Sequence, residues 1–196
     1  MMTRPAFIFS LQLVLALMLL PAYSHAAEWD LDQLMRGLAQ TRSDRANFFE
    51  KKFIAMLDKP VESSGELLYR APDHLEKRTL KPKPESMTVD GDTLIIERGR
   101  QTHRLQLQDY PELAAFIDSI RGTLAGDRKA LERNYRLSLE GTAERWTLQL
   151  LPINEKMQAV VKRIHIAGVR DSVRSIEITQ ADGDSSLMLI GKVATP

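Results

Sequence analysis

Three histidines outside the amino-terminal segment, His74, His103 and His165, are the side chains best suited to hold a transition metal, and three imidazoles could in principle make a zinc site. Each falls on a different short segment with no second ligand close to it in sequence, so such a site has no local support, and ordinary polar or half-buried histidines explain the pattern better. Asp90-Gly91-Asp92 and Asp182-Gly183-Asp184 carry carboxylates at a spacing that could suggest calcium. Both are flanked by alternating strand sequence, contain the Asp-Gly pair typical of tight hairpins, and fall short of the ligand count of a calcium loop, so they read as turns. Nucleophile elbows of the Gly-x-Ser-x-Gly type, Gly-rich phosphate loops and His-Glu-x-x-His are missing from the chain. The absence of cysteine removes thiol catalysis and thiolate metal sites, and an aromatic content of 6% argues against a sugar cleft. The residues therefore indicate a binding protein without a cofactor rather than an enzyme.

The elements that would position any site are mostly short strands. Glu28 to about Arg45 places Leu31, Leu34, Met35 and Leu38 at helical spacing behind Asp30 as a cap. An opening strand is expected from Phe48 to Leu57, with Phe49, Phe53 and Ala55 on one parity, then a turn bracketed by Lys59-Pro60 and Ser63-Ser64-Gly65. Alternating segments follow at Glu66 to Arg70, His74 to Leu80, Ser86 to Val89, Thr93 to Arg98 and Thr102 to Gln108. Tyr110 to Asn134 is helical, with Pro111 in the first turn and a break at Gly126-Asp127. Strands resume at Tyr135 to Leu139, Trp146 to Leu150, Val160 to Ile166, Ser172 to Gln180 and Ser186 to Ile190. The fold expected is α+β, mainly β: about ten or eleven antiparallel strands in a sheet wide enough to curl into an incomplete barrel, or half-barrel. Its concave apolar face would be lidded by about three short helices, too few to fill it as a second layer would.

The chain begins with Arg4, an apolar run from Phe7 to Leu20, Pro21, and small residues at Ser24-His25-Ala26. This is the pattern of a secretory signal peptide, residues 1–26, cleaved after Ala26 or Ala27; the run is shorter than the roughly 20 apolar residues of a membrane span. Residues 27–196 then form a single domain, with no internal repeat, low-complexity tract or linker. Without cysteine a lipid anchor at the new amino terminus is excluded, and an exported chain without disulfides suggests the periplasm of a bacterium. The net charge of +1 includes Arg4, so the mature chain is near neutral and gives no reason to expect nucleic acid as a partner.

Several stretches in order carry a family resemblance: Phe49-Glu50-Lys51-Lys52, Gly65-Glu-Leu-Leu-Tyr-Arg-Ala-Pro72, Val89-Asp90-Gly91-Asp92-Thr93-Leu94, and Leu124-Ala-Gly-Asp127. Trp146-Thr-Leu-Gln-Leu-Leu-Pro152 and the closing Ser175-Ile-Glu-Ile to Asp182-Gly183-Asp184 continue it. Over nearly the whole mature chain the sequence resembles the periplasmic lipoprotein carriers of the LolA family. The resemblance implies a half-barrel whose cavity receives acyl chains, and a carrier that shields the lipid of a lipoprotein or another acylated amphiphile between an inner-membrane exporter and an outer-membrane acceptor. A lipid-sensing or regulatory module on the same half-barrel is the alternative. In either case the protein is expected to be a monomer without a membrane anchor. One departure is Ala71, at the position where the carriers place an arginine that ties the lid shut.

Combining strand parity with that resemblance, the cavity wall is expected from Leu67, Tyr69, Leu75, Leu105, Leu107, Trp146, Leu148, Ile164 and Ile178. The lid is expected from Leu34, Leu38, Phe116, Ile117 and Ile120, and Lys77, on the same face as Leu75, is the candidate contact for an anionic headgroup.

Overall fold

The computed structural model describes residues 29–192, so the expected leader and its expected cleavage site lie outside the described residues. Helix α1, Leu31–Leu38, starts where Asp30 accepts a hydrogen bond from the Gln33 amide at 2.8 Å, and it buries Leu34, Met35 and Leu38. It is shorter than the expected helix to Arg45, because strand β1 already begins at Ser43 and runs to Phe53. From Ala46 the apolar period changes from helical to alternating, and pairing with a strand on each side satisfies the backbone there.

The parity expected for β1 is reversed. Ala46, Phe48 and Glu50 point inward, whereas Phe49 and Phe53 are 37% and 48% exposed. Strand β2, Val61–Arg70, absorbs the expected Ser63-Ser64-Gly65 turn. Gly65 is required there because a Cβ would lie 1.9 Å from the Arg78 carbonyl oxygen. At the same point the register slips, Ser64 pairing with Lys81 and Gly65 with Thr79, a bulge that bends the sheet.

The remaining strands follow the alternation in the sequence: β3 His74–Lys81, β4 Glu85–Asp90, β5 Thr93–Arg98, β6 Gln101–Gln106, β7 Tyr135–Thr142, β8 Arg145–Pro152, β9 Val161–Val169, β10 Ser172–Gln180 and β11 Ser185–Lys192. Gly91 and Gly183 both take positive φ, +53° and +98°, in the two Asp-Gly-Asp turns.

All eleven strands form one antiparallel sheet in the order β6-β5-β4-β3-β2-β1-β11-β10-β9-β8-β7. First and last strands thus meet in the middle, and two meanders extend outward from that seam. The chain leaves one outer edge at β6 and re-enters at the other edge as β7, through a 3-10 turn at Leu107–Asp109, helix α2 (Pro111–Ala125) and helix α3 (Arg128–Glu132). Helix α2 packs against both wings of the sheet, through Ala115 and Phe116 on the β7–β9 side and Ile117 on the β3–β6 side, so the sheet curls around it. The outer edges do not pair with each other, which leaves the barrel open. Helix α4, Glu155–Gln158, fills the β8–β9 connection.

Two packed regions result. Under α1, α3 and α4, the wing β7–β9 buries Tyr135, Trp146, Leu148, Leu150, Ile164 and Ile166 together with Leu34, Met35, Leu38, Leu131 and Met157. Beneath the first half of α2, the wing β3–β6 buries Val89, Leu94, Leu107 and Ile117. Phe116 of α2 packs against both regions.

Candidate functional site

Between those regions lies an apolar cavity of about 800 Å³, near the top of the roughly 300–1,000 Å³ typical of ligand pockets. Alternation in each strand supplies its floor: Ala46 on β1, Leu67 and Tyr69 on β2, Leu75 and Lys77 on β3, Met87 and Val89 on β4, and Leu94 on β5. Beyond the seam, Ile176 and Ile178 on β10 and Ser186, Met188 and Ile190 on β11 continue it. The roof is α2, through Leu113, Phe116, Ile117, Ile120 and Leu124. At one end of the strands the lining holds the half-exposed Phe53 and Val160 together with Lys52, Gln180 and Asp184; at the opposite end it includes Asp44 and Asp171.

Of the residues expected in the wall, Leu67, Tyr69, Leu75 and Ile178 border this space, as do Leu38, Phe116, Ile117 and Ile120 of the expected lid. Trp146, Leu148 and Ile164 do not: they are fully buried in the packed wing, with Leu34 seated on them. Trp146 is held there by donating its indole N–H to the Arg170 carbonyl at 2.7 Å, and its ring covers Gly168, where a Cβ would come within 2.2 Å of it. Leu105 and Leu107 pack in the other region, and Leu107 lies past the end of β6, where its amide donates to the Asp92 carbonyl at 2.8 Å and the chain enters the 3-10 turn. The physical reason is common to all of them. Inward parity places a side chain on the concave face, but only the helices landing above decide whether it meets another side chain or open space.

Lys77 points into the cavity, where its ammonium lies 2.5 Å from Oε2 of Glu50 and 4.9 Å from the centroid of the Phe48 ring. Glu50 is 5% exposed, and its Oε2 also accepts from the Ser63 hydroxyl at 3.3 Å. Lys77, the expected contact for an anionic headgroup, thus stands in an ion pair with Glu50. In the sequence Glu50 stands only within the Phe49-Glu50-Lys51-Lys52 stretch that carries the resemblance, where nothing marks it as buried. Tyr69 is a second polar feature of the lining: it is 4% exposed, and its buried hydroxyl has no hydrogen-bond partner. Burial raises its phenol above the ordinary value, with Arg42 opposing and Asp73 reinforcing the shift.

The three histidines sit on β3, β6 and β9. His74 is within 3.1 Å of the Arg70 guanidinium, and His165 within 2.8 Å of Gln149 Oε1. Among the described residues no three His, Asp or Glu side chains converge as a metal site, and no helix is long and apolar enough to cross a membrane.

A family model described as "Outer membrane lipoprotein carrier protein LolA-like" matches residues 23–196. An outer-membrane lipoprotein carrier protein of Dechloromonas aromatica (strain RCB) is 30% identical over 126 residues, 64% of this chain and 58% of that protein, so the match spans less than two thirds of the relative's length. Among solved structures, a LolA superfamily protein from Nitrosomonas europaea aligns over 83% of this chain and 93% of its own, with 11% identity and a TM-score of 0.40. The MucA/MucB complex of Pseudomonas aeruginosa aligns over 85% and 58%, with 16% identity and a TM-score of 0.47. The Mycobacterium tuberculosis lipoprotein LppX aligns over 85% and 96%, with 9% identity and a TM-score of 0.44.

Proposed function

Because the chain belongs to the LolA-like family of outer membrane lipoprotein carriers, we propose that it is a periplasmic carrier that shields the acyl chains of a lipidated protein or related amphiphile between the two membranes. The observation that carries this reading is the apolar cavity of about 800 Å³, roofed by one helix and floored by the alternating residues of a sheet that stops short of closure. Cargo would be received from an inner-membrane exporter and passed to an outer-membrane acceptor, by a monomer that catalyses no reaction and needs no cofactor.

Burying one chain of ~16 carbons is worth roughly 12 kcal/mol gross at about 0.8 kcal/mol per methylene. A protein holding its cargo that firmly would not release it within a useful time, so opening of α2 and entry of water must offset much of the gain. Entry is proposed between Phe53 and Val160, where two large apolar side chains stand half-exposed at the rim. The test is native mass spectrometry of the mature protein taken from its own periplasm without detergent, followed by organic extraction. A bound species of lipid mass is expected; a protein that stays free of lipid even after incubation with membranes would overturn the carrier reading.

A further inference from the structure

We propose that Glu50 and Lys77 together form a recognition point for the polar linkage of the cargo, selecting a neutral acyl amphiphile with both a carbonyl and a hydroxyl or amide N–H over an anionic one. This rests on the carrier reading and narrows its ligand class. The pair spans β2 at the one inward position without a side chain: Glu50 lies opposite Ser63, Lys77 opposite Leu67, and Gly65 stands between. The ammonium therefore reaches the carboxylate unobstructed at 2.5 Å, with the Phe48 ring 4.9 Å away.

The hydrogen-bonding capacity left over decides what can bind. An ammonium has three donors and the Lys77–Glu50 contact uses one, so two are left for a ligand in the cavity that Lys77 lines. Both side-chain contacts of the carboxylate go to Oε2, which leaves Oε1 able to accept. An ester or amide carbonyl can take a donor of Lys77 while an adjacent hydroxyl or N–H donates to Glu50, and the ion pair survives. A phosphate or free carboxylate would put two anions around one cation beside a carboxylate that is 5% exposed, leaving a net charge in an apolar cavity. A hydrocarbon without polar groups would desolvate the remaining donors and return nothing to them.

The test displaces the apolar fluorophore N-phenyl-1-naphthylamine from the mature protein with three ligands of one chain length: 1-monopalmitoylglycerol, methyl palmitate and 1-palmitoyl lysophosphatidic acid. Wild type is expected to bind monopalmitoylglycerol at least about tenfold more tightly than either of the others. In the double variant Glu50→Leu/Lys77→Met that preference should vanish, while methyl palmitate still binds. Equal affinities in wild type, a preference for lysophosphatidic acid, or a preference that persists in the double variant would each overturn the inference and leave the carrier reading standing. Failure of wild type to take up the fluorophore or any ligand would overturn both. The wild-type comparison stands without the variant, so the outcome does not depend on whether the variant folds.

Discussion

The Arg121 guanidinium on α2 donates to the carbonyl oxygen of Gly91, in the β4–β5 turn, at 2.6 Å, and is held in place by Asp118 one helical turn earlier, also at 2.6 Å. This is a polar tether between the roof of the cavity and its wall on the β3–β6 side. At the expected lock position, Ala71 only donates its amide to the Arg42 carbonyl at 2.8 Å. A charge-assisted hydrogen bond from a mostly buried arginine contributes about 1.5–3 kcal/mol. Arg121→Met is expected to ease opening of α2 and raise the release rate of a bound fluorophore about tenfold, the equivalent of ~1.4 kcal/mol. Stopped-flow release measurements check this; an unchanged rate would mean that the tether does not limit opening.

Concave-face residues divide into packed and open ones, and substitutions should separate them. Leu148 is fully buried beneath α1, and Leu148→Ala is expected to cost about 2–5 kcal/mol of stability while leaving fluorophore affinity nearly unchanged where the variant is folded. Met188 lines the open space, and Met188→Asn should cost less than about 1.5 kcal/mol but weaken binding severalfold. Denaturant melts beside binding titrations supply both readouts. The opposite assignment, with Leu148→Ala abolishing binding in a folded protein, would place the cavity in the wrong half of the molecule.

Much of the sheet is legible in the sequence, and what escapes has a common cause. Strands Thr93–Arg98 and Ser172–Gln180 begin and end where alternation and the Asp-Gly turns place them. β1 is ambiguous, since Phe48 and Phe49 offer an aromatic to either face, and the choice depends on partners distant in sequence, β2 and β11. β11 has the same ambiguity: Leu187, Met188, Leu189 and Ile190 form a continuous apolar run in which only Met188 and Ile190 face the cavity. Trp146 and Leu67 both obey inward alternation, yet one is core and the other cavity wall because α1 sits on one wing only. Glu50 is hardest to find, because its burial makes sense only with Lys77, 27 positions away.

Tyr135 is buried in the packed wing, donating its hydroxyl to the Ala115 carbonyl at 3.1 Å. Burial pushes its phenol well above the ordinary value near 10, with the neighbouring Ser119 hydroxyl opposing the rise and the Asp118 carboxylate adding to it. The folded state therefore holds this proton more tightly than the unfolded chain, and the stability it contributes is fully present below about pH 10 and declines as pH rises above that toward the folded value. Tyr69 shifts in the same direction and adds to the decline. Urea melts at pH 8, 10 and 11 should show falling stability, and Tyr135→Phe should flatten the slope while costing about 1 kcal/mol at pH 8 for the lost hydrogen bond. An equally steep slope in the variant would mean that other groups govern alkaline unfolding.

Three glycine-to-alanine changes should rank by what each added methyl group meets. Gly126 ends α2 at φ +65°, and a Cβ there would lie 2.1 Å from the Met35 carbonyl oxygen of α1, so backbone strain and collision act together. Gly126→Ala is expected to cost about 2–4 kcal/mol, combining ~1 kcal/mol for the left-handed conformation with about 1–3 kcal/mol for overpacking. Gly183 has φ +98° but nothing within 4 Å, so Gly183→Ala should cost only the backbone share, about 1 kcal/mol. Gly37 lies within α1 at an ordinary φ with open space around it, and Gly37→Ala should stabilise by about 0.5–1 kcal/mol. Chemical melts of the three variants give the order directly. If Gly126→Ala were no worse than Gly183→Ala, α1 and the end of α2 would not be in rigid contact, and the packed wing would have to be looser than its burial implies.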